Sequence, residues 1–359
     1  MPMKVALIAR STLYEVQGGI TTQVMETTNH LQKLGVDATI HLANEKINYQ
    51  EYDLLHFFDV IRPANILYHI ERSNKPFVIT PILIDYSEYD KQYRKGISGL
   101  IFRTFSSDDN EYLKTTLRWI LGKDSLQSKK YLWKGQRRSI KHILERAAMV
   151  LPNSEKEYEQ LVSQYHITRP YSVVPNGINE TLFFSKDISE RDTKLVICAA
   201  RIEGIKNQMN LIKAVSNTEF RLILIGNAAP NQKKYFQYCK RVAGSNVEFI
   251  GQLSQEHLHH YYKKAKVHVL PSWFETCGLS SLEAAAMGCN IVITDKGFTR
   301  EYFGDDAFYC DPGEPQSIFD AIKKASEKPF QRQLQNNIFN NFTWGKAAIK
   351  TIEAYKKIL

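Results

Sequence analysis

Short apolar runs rich in β-formers alternate with helical stretches along nearly the whole chain, and this alternation restricts the fold more than any other feature. KVALIA opens the series, followed by the linker RSTLYEVQGG and a helical pattern in which Ile20, Val24, Leu31 and Leu34 share one face until Gly35 stops it. ATIHLA, DLLHFF and PFVITPILI read as further strands. A second, cleaner series contains KLVICAA, FRLILIG, NVEFIG, KVHVLPS, NIVITD and AFYCD. Strands separated by helices imply parallel βαβ units.

At 359 residues the chain suits two compact domains. Pro175, Asn176 and Gly177, inside the connector YSVVPNGIN, supply turn chemistry at the boundary. The expected division is a first domain over 1–173, a second over 174–340, and a C-terminal helix over 341–359 that packs back on the first domain. In that helix Ile349, Ile352, Tyr355 and Leu359 fall at helical spacing. A less regular, helix-prone insertion spans about 91–138. The fold class is α/β, with two Rossmann-like, doubly wound domains facing a central cleft, where open α/β sheets bind ligands.

Bulk properties exclude several classes. No apolar run approaches the roughly 18–20 residues of a bilayer span, and Val5–Ala9 is too short for a signal-peptide core. Cys198, Cys239, Cys277, Cys289 and Cys310 are odd in number, widely spread and free of C-x-x-C spacing, which argues against a disulfide framework or structural zinc. The reading is a cytoplasmic protein, peripheral on the inner face of a membrane. The net charge of +9 is concentrated: between Lys91 and Arg146 there are 14 Lys+Arg against 5 Asp+Glu. Such asymmetry points to an anionic partner for one face.

Three elements carry candidate chemistry. In PSWFETCGLSSLEAAAMG, Glu275 precedes an apolar helix and Glu283 lies one turn inside it. Amides from Thr276 to Leu279 then sit at a helix N-terminus, suited to an anionic or hydroxyl-rich ligand. Carboxylates near helix starts also complement the helix dipole, so spacing alone leaves a purely structural role open for both. Arg201 and Lys206 follow the strand LVICAA; arginine offers a planar fork and lysine a point charge for a diphosphate. Gly18–Gly19, before the first helix, permits close backbone approach and unusual φ. It is no G-x-G-x-x-G, and no nicotinamide site is inferred.

With these residues in place the chain resembles the retaining glycosyltransferases of family 4 (group 1), which share the GT-B fold and a signature of two glutamates separated by seven residues. Here that signature is Glu275, TCGLSSL, Glu283, supported by the R…KN element, VVPNGIN and the C-terminal FTW plus helix. The resemblance is specific in the second half and looser in the first, where KVALIA, the Gly-Gly helix and LPNSE follow the pattern. It implies a nucleotide-diphosphate sugar, UDP- or GDP-linked, as co-substrate, with no cofactor and no metal. Glu283 would hold the ribose and Glu275 the hydroxyls of the transferred sugar. Amides of Cys277, Gly278 and Leu279 would support sugar and phosphate, and Arg201 and Lys206 would neutralise the leaving phosphate. The base would lie near Gly226–Asn227 and Ile250–Gly251, with Gly18 and Gly19 contributing from the first domain. Many relatives carry a histidine after the strand matching PFVITPILI; this chain reads TPILIDYSEYD, with Asp85 or Tyr86 in its place.

The acceptor expected is a glycan or lipid-linked molecule, as in bacterial-type polysaccharide or glycolipid synthesis. Cations between Lys91 and Arg146 are interleaved with Tyr93, Phe102, Phe105, Trp119, Tyr131 and Trp133, and Leu113, Leu117, Ile120 and Leu121 form a helical stripe. That composition suits an anionic lipid surface, or a stripe buried in the first domain. His257, His259 and His260 lack carboxylate or cysteine partners at ligand spacing, so a helix surface is expected rather than a metal site. A sugar-nucleotide epimerase of the same fold is the competing reading. Nucleic-acid binding rests on charge alone and is not expected.

Overall fold

A computed structural model describes residues 2–15, 17–92, 106–121, 126–185 and 191–359. The chain divides into two compact units, Met1–Pro175 with Trp344–Leu359, and Asn176–Thr343. Both are built on parallel sheets.

The first unit carries β1 (Lys4–Ala9), α1 (Gly19–Lys33), β2 (Asp37–Leu42), β3 (Leu54–Phe58), α2 (Pro63–Ile70), β4 (Phe77–Thr80), α3 (Ser87–Gln92), α4 (Ser107–Ile120), α5 (Lys130–Arg146), β5 (Met149–Val150) and α6 (Glu155–Tyr165). Its strands run parallel in the order β2-β1-β3-β4-β5. From Val5 to Ala9 every residue of β1 is buried, as is all of β3, because helices cover both faces of a parallel sheet. PFVITPILI is not one continuous strand. β4 stops at Thr80 because Pro81 offers no N–H to the ladder, and Ile82 turns the chain with a φ of 50°.

The second unit comprises β6 (Asp192–Ala199), α7 (Gln208–Val215), β7 (Arg221–Ile225), α8 (Lys233–Val242), β8 (Val247–Ile250), α9 (Gln255–Lys264), β9 (Ala265–Leu270), α10 (Leu279–Ala286), β10 (Asn290–Thr294), α11 (Arg300–Phe303), β11 (Phe308–Cys310), α12 (Pro315–Glu327) and α13 (Arg332–Asn341). The strand order is β11-β10-β9-β6-β7-β8, again parallel. Its core packs the sheet against α7, α10 and α12 through Leu211, Leu282, Ile318 and Ile322. All five cysteines are buried and free.

The last helix, α14 (Trp344–Lys356), belongs to the first unit and packs against α1. There the Tyr355 hydroxyl meets Nδ1 of the buried His56 at 2.7 Å. Two predicted faces are corrected. In α1 the buried set is Thr21, Gln23, Val24, Thr27, Thr28 and Leu31, while Leu34 follows the helix and is exposed. In α14 the buried set is Trp344, Ala347, Ala348, Thr351, Ala354 and Tyr355, leaving Ile349 and Leu359 exposed. Periodicity weighted by side-chain size misplaces this face, because the alanines are what let the helix approach closely.

Candidate active site

Two segments of the second unit are stitched together beyond the carboxyl ends of β6 and β9. After β6 the chain passes Arg201 and makes a tight turn over Gly204–Lys206, closed by Asn207 in the left-handed region at φ 58°. The Asn207 amide donates to the carbonyls of Pro271 (3.0 Å) and Pro312 (2.7 Å), and Gln208 Nε2 donates to the Arg201 carbonyl at 2.9 Å. Trp273 N donates to the Ile205 carbonyl at 2.8 Å. The loop bearing Glu275 is thus tied to the loop bearing Arg201 and Lys206.

Glu275 is a loop residue but not a surface one, with a relative exposure of 6%. Its Oε1 receives two donors, Lys206 Nζ at 2.5 Å and the buried Ser272 hydroxyl at 2.6 Å. Its backbone is pinned as well: Glu275 N donates to the Lys296 carbonyl (3.1 Å) and Phe298 N to the Glu275 carbonyl (2.9 Å). Between them Gly297 passes with φ 99°, and a Cβ there would fall 2.1 Å from the Glu275 carbonyl oxygen, so glycine is required. Arg201 pairs with Glu203 at 2.9 Å and keeps about a third of its side chain exposed.

Gly278, left-handed at φ 66°, precedes α10, whose start has no side-chain cap and no acidic residue in its first turn. The first-turn amides therefore present partial positive charge with no carboxylate of their own helix against them. Glu283 is 8% exposed and accepts from Gln255 Nε2 at 3.2 Å. Burial first, and then the Glu283 charge, push the Tyr262 hydroxyl well above the ordinary tyrosine value. Both glutamates are buried and hydrogen-bonded rather than solvated.

Gly226, Asn227 and Gly251 gather at the ends of β7 and β8. Gly226 N donates to the Ile250 carbonyl at 3.0 Å, Ile202 N to the Asn227 carbonyl at 2.9 Å, and Gln252 N to Asn227 Oδ1 at 3.3 Å. A Cβ on Gly226 would meet the Ala200 carbonyl oxygen at 2.2 Å, so this glycine is what lets β7 run so close to the Arg201 loop. Cys277 is buried, accepts from the Asn176 amide at 3.3 Å, and has its thiol pushed up to about 12 by burial, as has Cys198. Neither thiol is an activated nucleophile.

Gly18 and Gly19 lie in the first unit at the start of α1. The unusual φ expected there is absent at Gly18, whose φ of 173° is ordinary extended backbone. His257, His259 and His260 sit on the surface helix α9. Sequence reasoning missed Ser272, Gln208, Gln255 and Gly297. Ser272 is three residues before Glu275 and was discoverable in PS-x-x-E; the other three had no local signal.

Comparison with known proteins locates a family match in the same unit. Residues 179–341 match the family model described as glycosyl transferases group 1. That match lies within the second unit. A relative spanning most of the chain is the N-acetylgalactosamine-N,N'-diacetylbacillosaminyl-diphospho-undecaprenol 4-alpha-N-acetylgalactosaminyltransferase of Campylobacter jejuni, 23% identical over 90% of this chain and 92% of that protein. The O-antigen chain mannosyltransferase B of Escherichia coli is 25% identical over 43% of this chain and 42% of its own length, and this chain spans about half the length of several other curated relatives. Among solved structures, the sucrose-phosphate synthase of Thermosynechococcus elongatus superposes with a TM-score of 0.75 at 17% identity, covering 99% of this chain and 98% of that one. Anabaena HepE in complex with UDP-glucose gives 0.71 at 16% identity, over 99% and 100%. The fold class is therefore GT-B, α/β with two Rossmann-like domains.

Proposed function

We propose that the chain transfers a sugar, with retention of anomeric configuration, from a nucleotide-diphosphate sugar to a hydroxyl of a glycan or lipid-linked acceptor. The observation that carries this reading is the Lys206–Glu275–Ser272 constellation beside the uncapped start of α10. Cation, carboxylate and free amides stand together there, as a sugar joined to a diphosphate requires. Both donors fall on Glu275 Oε1, so Oε2 is the oxygen for a sugar hydroxyl. Glu283 binds the ribose, and the strand ends at Gly226–Asn227 and Gly251 receive the base. As the glycosidic bond breaks, negative charge grows on the leaving diphosphate. Arg201, Lys206 and the α10 amides are in place to stabilise it, and preorganised positive charge of this kind is usually the largest catalytic contribution. Lys206 has a double duty that its sequence position did not reveal: it orients Glu275 while it faces the phosphate.

The solved HepE complexes with UDP and UDP-glucose support a uridine nucleotide as the first donor to try, and the lipid-diphosphate named for the Campylobacter relative supports a lipid-linked acceptor. Thermal melts with UDP-, GDP- and ADP-sugars test the donor, because a ligand bound only by the folded state raises its apparent stability. No shift with any of them sinks the reading. The anomeric form of the first product, followed by NMR, tests retention.

The acceptor reading includes a membrane surface. In α4 only Asn110 is buried, so the stripe of Leu113, Leu117, Ile120 and Leu121 is not packed into the unit; Ile120 is 67% and Leu121 64% exposed. Trp133 is 89% exposed, on the stretch before Gly135 (φ 70°) kinks α5. Arg118, Lys129, Lys130 and Lys134 accompany them. Arg94, Lys95, Arg103, Lys123, Tyr93, Phe102 and Phe105 lie outside the described residues. Basic groups contribute about 1 kcal/mol each near an anionic bilayer, and the apolar tips insert. Among the described residues no helix is long and apolar enough to cross a membrane, so this attachment is to one face. Flotation with anionic and neutral liposomes at low salt tests it; equal recovery with both argues against it.

A further inference from the structure

The two cations assigned to the leaving phosphate each have a carboxylate of their own. Lys206 pairs with Glu275, and Arg201 Nη2 donates to Glu203 Oε1 at 2.9 Å. Two cations and two carboxylates sum to zero. A diphosphate arriving at the end of β6 therefore meets a cluster neutralised from within the chain, and one of the internal anions has to yield.

The two carboxylates are not held alike. Glu275 has a second donor in Ser272, and its backbone is tied to Lys296 and Phe298. Glu203 has Arg201 as its one side-chain partner among the described residues. Its pairing follows from the local sequence. Glu203 is extended, with φ −154° and ψ 154°, and side chains two residues apart on extended backbone point to the same side.

The backbone around this pair is fixed while the Glu203 side chain is not. Ile202 N donates to the Asn227 carbonyl at 2.9 Å and Ala229 N to the Ile202 carbonyl at 3.2 Å. Lys206 N donates to the Glu203 carbonyl at 2.9 Å, and the Arg201 carbonyl accepts from Gln208. Rotation of the Glu203 side chain releases the guanidinium without moving the strand end that carries it. A carboxylate and a phosphate offer Arg201 the same thing, oxygen acceptors for its planar fork, so the two compete for one group.

We propose that Glu203 is an internal competitor of the nucleotide's diphosphate, yielding Arg201 to the leaving phosphate and taking it back as the nucleoside diphosphate product departs. The proposal rests on the transferase reading for the identity of the anion. Its effect is to loosen the hold on the diphosphate, so that Arg201 regains a partner as the product leaves. Product release limits turnover in many enzymes, which gives such a competitor a use. The pair is part-exposed, so the competition is modest in size.

The test is calorimetric titration of the full chain with uridine, guanosine and adenosine diphosphates, and with the monophosphate of the base that binds best. Glu203→Gln is expected to bind that diphosphate about three- to fivefold more tightly, the upper end for an ion pair of this exposure. The monophosphate, which lacks the leaving phosphate, is expected to bind within about twofold of the original chain. Glu203→Asp keeps the charge but withdraws it by one methylene from Arg201, and is expected to tighten the diphosphate as well. Unchanged or weaker diphosphate binding in Glu203→Gln overturns the proposal, because Glu203 then orients Arg201 instead of competing for it. Tightening by Gln but not by Asp, or equal tightening of the monophosphate, also overturns it, since Glu203 then acts only as a nearby charge. Each of these outcomes leaves the transferase reading standing. Binding of no diphosphate by either the original chain or Glu203→Gln removes both.

Discussion

The Glu275 loop and a cavity beyond β4 in the first unit both lie past the carboxyl ends of parallel strands, but they are assembled differently. The first is made mainly of two short segments, residues 201–208 and 271–283, whose side chains engage one another: Lys206 with Glu275, Ser272 with Glu275, Gln208 with Arg201. The second draws on short pieces from several elements scattered between Ile61 and Tyr165. Under the proposed function the first handles a fixed chemical unit, the sugar diphosphate, and such a site can be written into contiguous sequence.

The contrast is broken most severely at Arg201. Arg201→Ala is expected to lower kcat by roughly 10²–10³, the range for losing one preorganised donor to developing negative charge. Steady-state kinetics on protein shown to be folded by circular dichroism checks it, and near-normal turnover would remove the phosphate role.

Two glycines test whether the donor side is more tightly built. Gly297→Ala places a Cβ 2.1 Å from the Glu275 carbonyl oxygen and is expected to cost about 1–3 kcal/mol in stability, with loss of donor affinity. Gly35 also has a positive φ, 84°, but nothing lies within 4 Å of its Cβ position. Gly35→Ala should therefore cost only about 1–2 kcal/mol of backbone strain, with donor binding intact. Equal effects on donor affinity would refute the close-approach argument.

The two glutamates sharpen the division within the donor site. Glu275→Gln is expected to weaken binding of the whole nucleotide sugar about tenfold while sparing the nucleoside diphosphate, and Glu283→Gln to weaken both, by the loss of a charge-assisted hydrogen bond. Calorimetric titration with each ligand distinguishes the outcomes.

A buried histidine in each unit allows a direct comparison of acid sensitivity. Burial lowers both His56 and His268 to about 3 from an ordinary 6.5. As pH falls between these values the unfolded state takes up protons that the folded state refuses. Stability is therefore full above about pH 6.5 and declines toward pH 3, each histidine contributing a slope of up to about 1.4 kcal/mol per pH unit. Urea midpoints measured from pH 7 to pH 4 follow this, and a variant such as His56→Asn should flatten the slope of the first unit. The smallest effect on stability is expected at Trp133→Ala, within about 0.5 kcal/mol for so exposed a side chain, while recovery on anionic liposomes drops.

Most strands of both sheets were legible because a strand buried on both faces has to be an apolar run, and runs such as VALIA, LVICAA and NIVIT stand out against polar surroundings. Helix faces were less legible. Leu34, Ile349 and Leu359 were assigned to buried faces by size and spacing, whereas Ala347, Ala348 and Thr351 do the packing in α14. Periodicity says which residues share a face, and only the neighbouring element decides which face it covers.

The pair of glutamates with seven residues between them, together with Arg201 and Lys206, could be singled out from sequence because loops after the strands of a parallel sheet lie at one edge. Their burial, the coupling of Lys206 to Glu275 through a shared oxygen, and the dependence of that loop on Gly297 were decided only by tertiary structure, since those partners lie between 3 and 69 residues apart. The same holds more strongly for the first unit. Nothing in TPILIDYSEYD indicated that Asp85 would share a cavity with Asp108, Glu111 and Gln160. Local physics sets which backbone segments become strands and turns; which side chains then face one another is a property of how those segments pack.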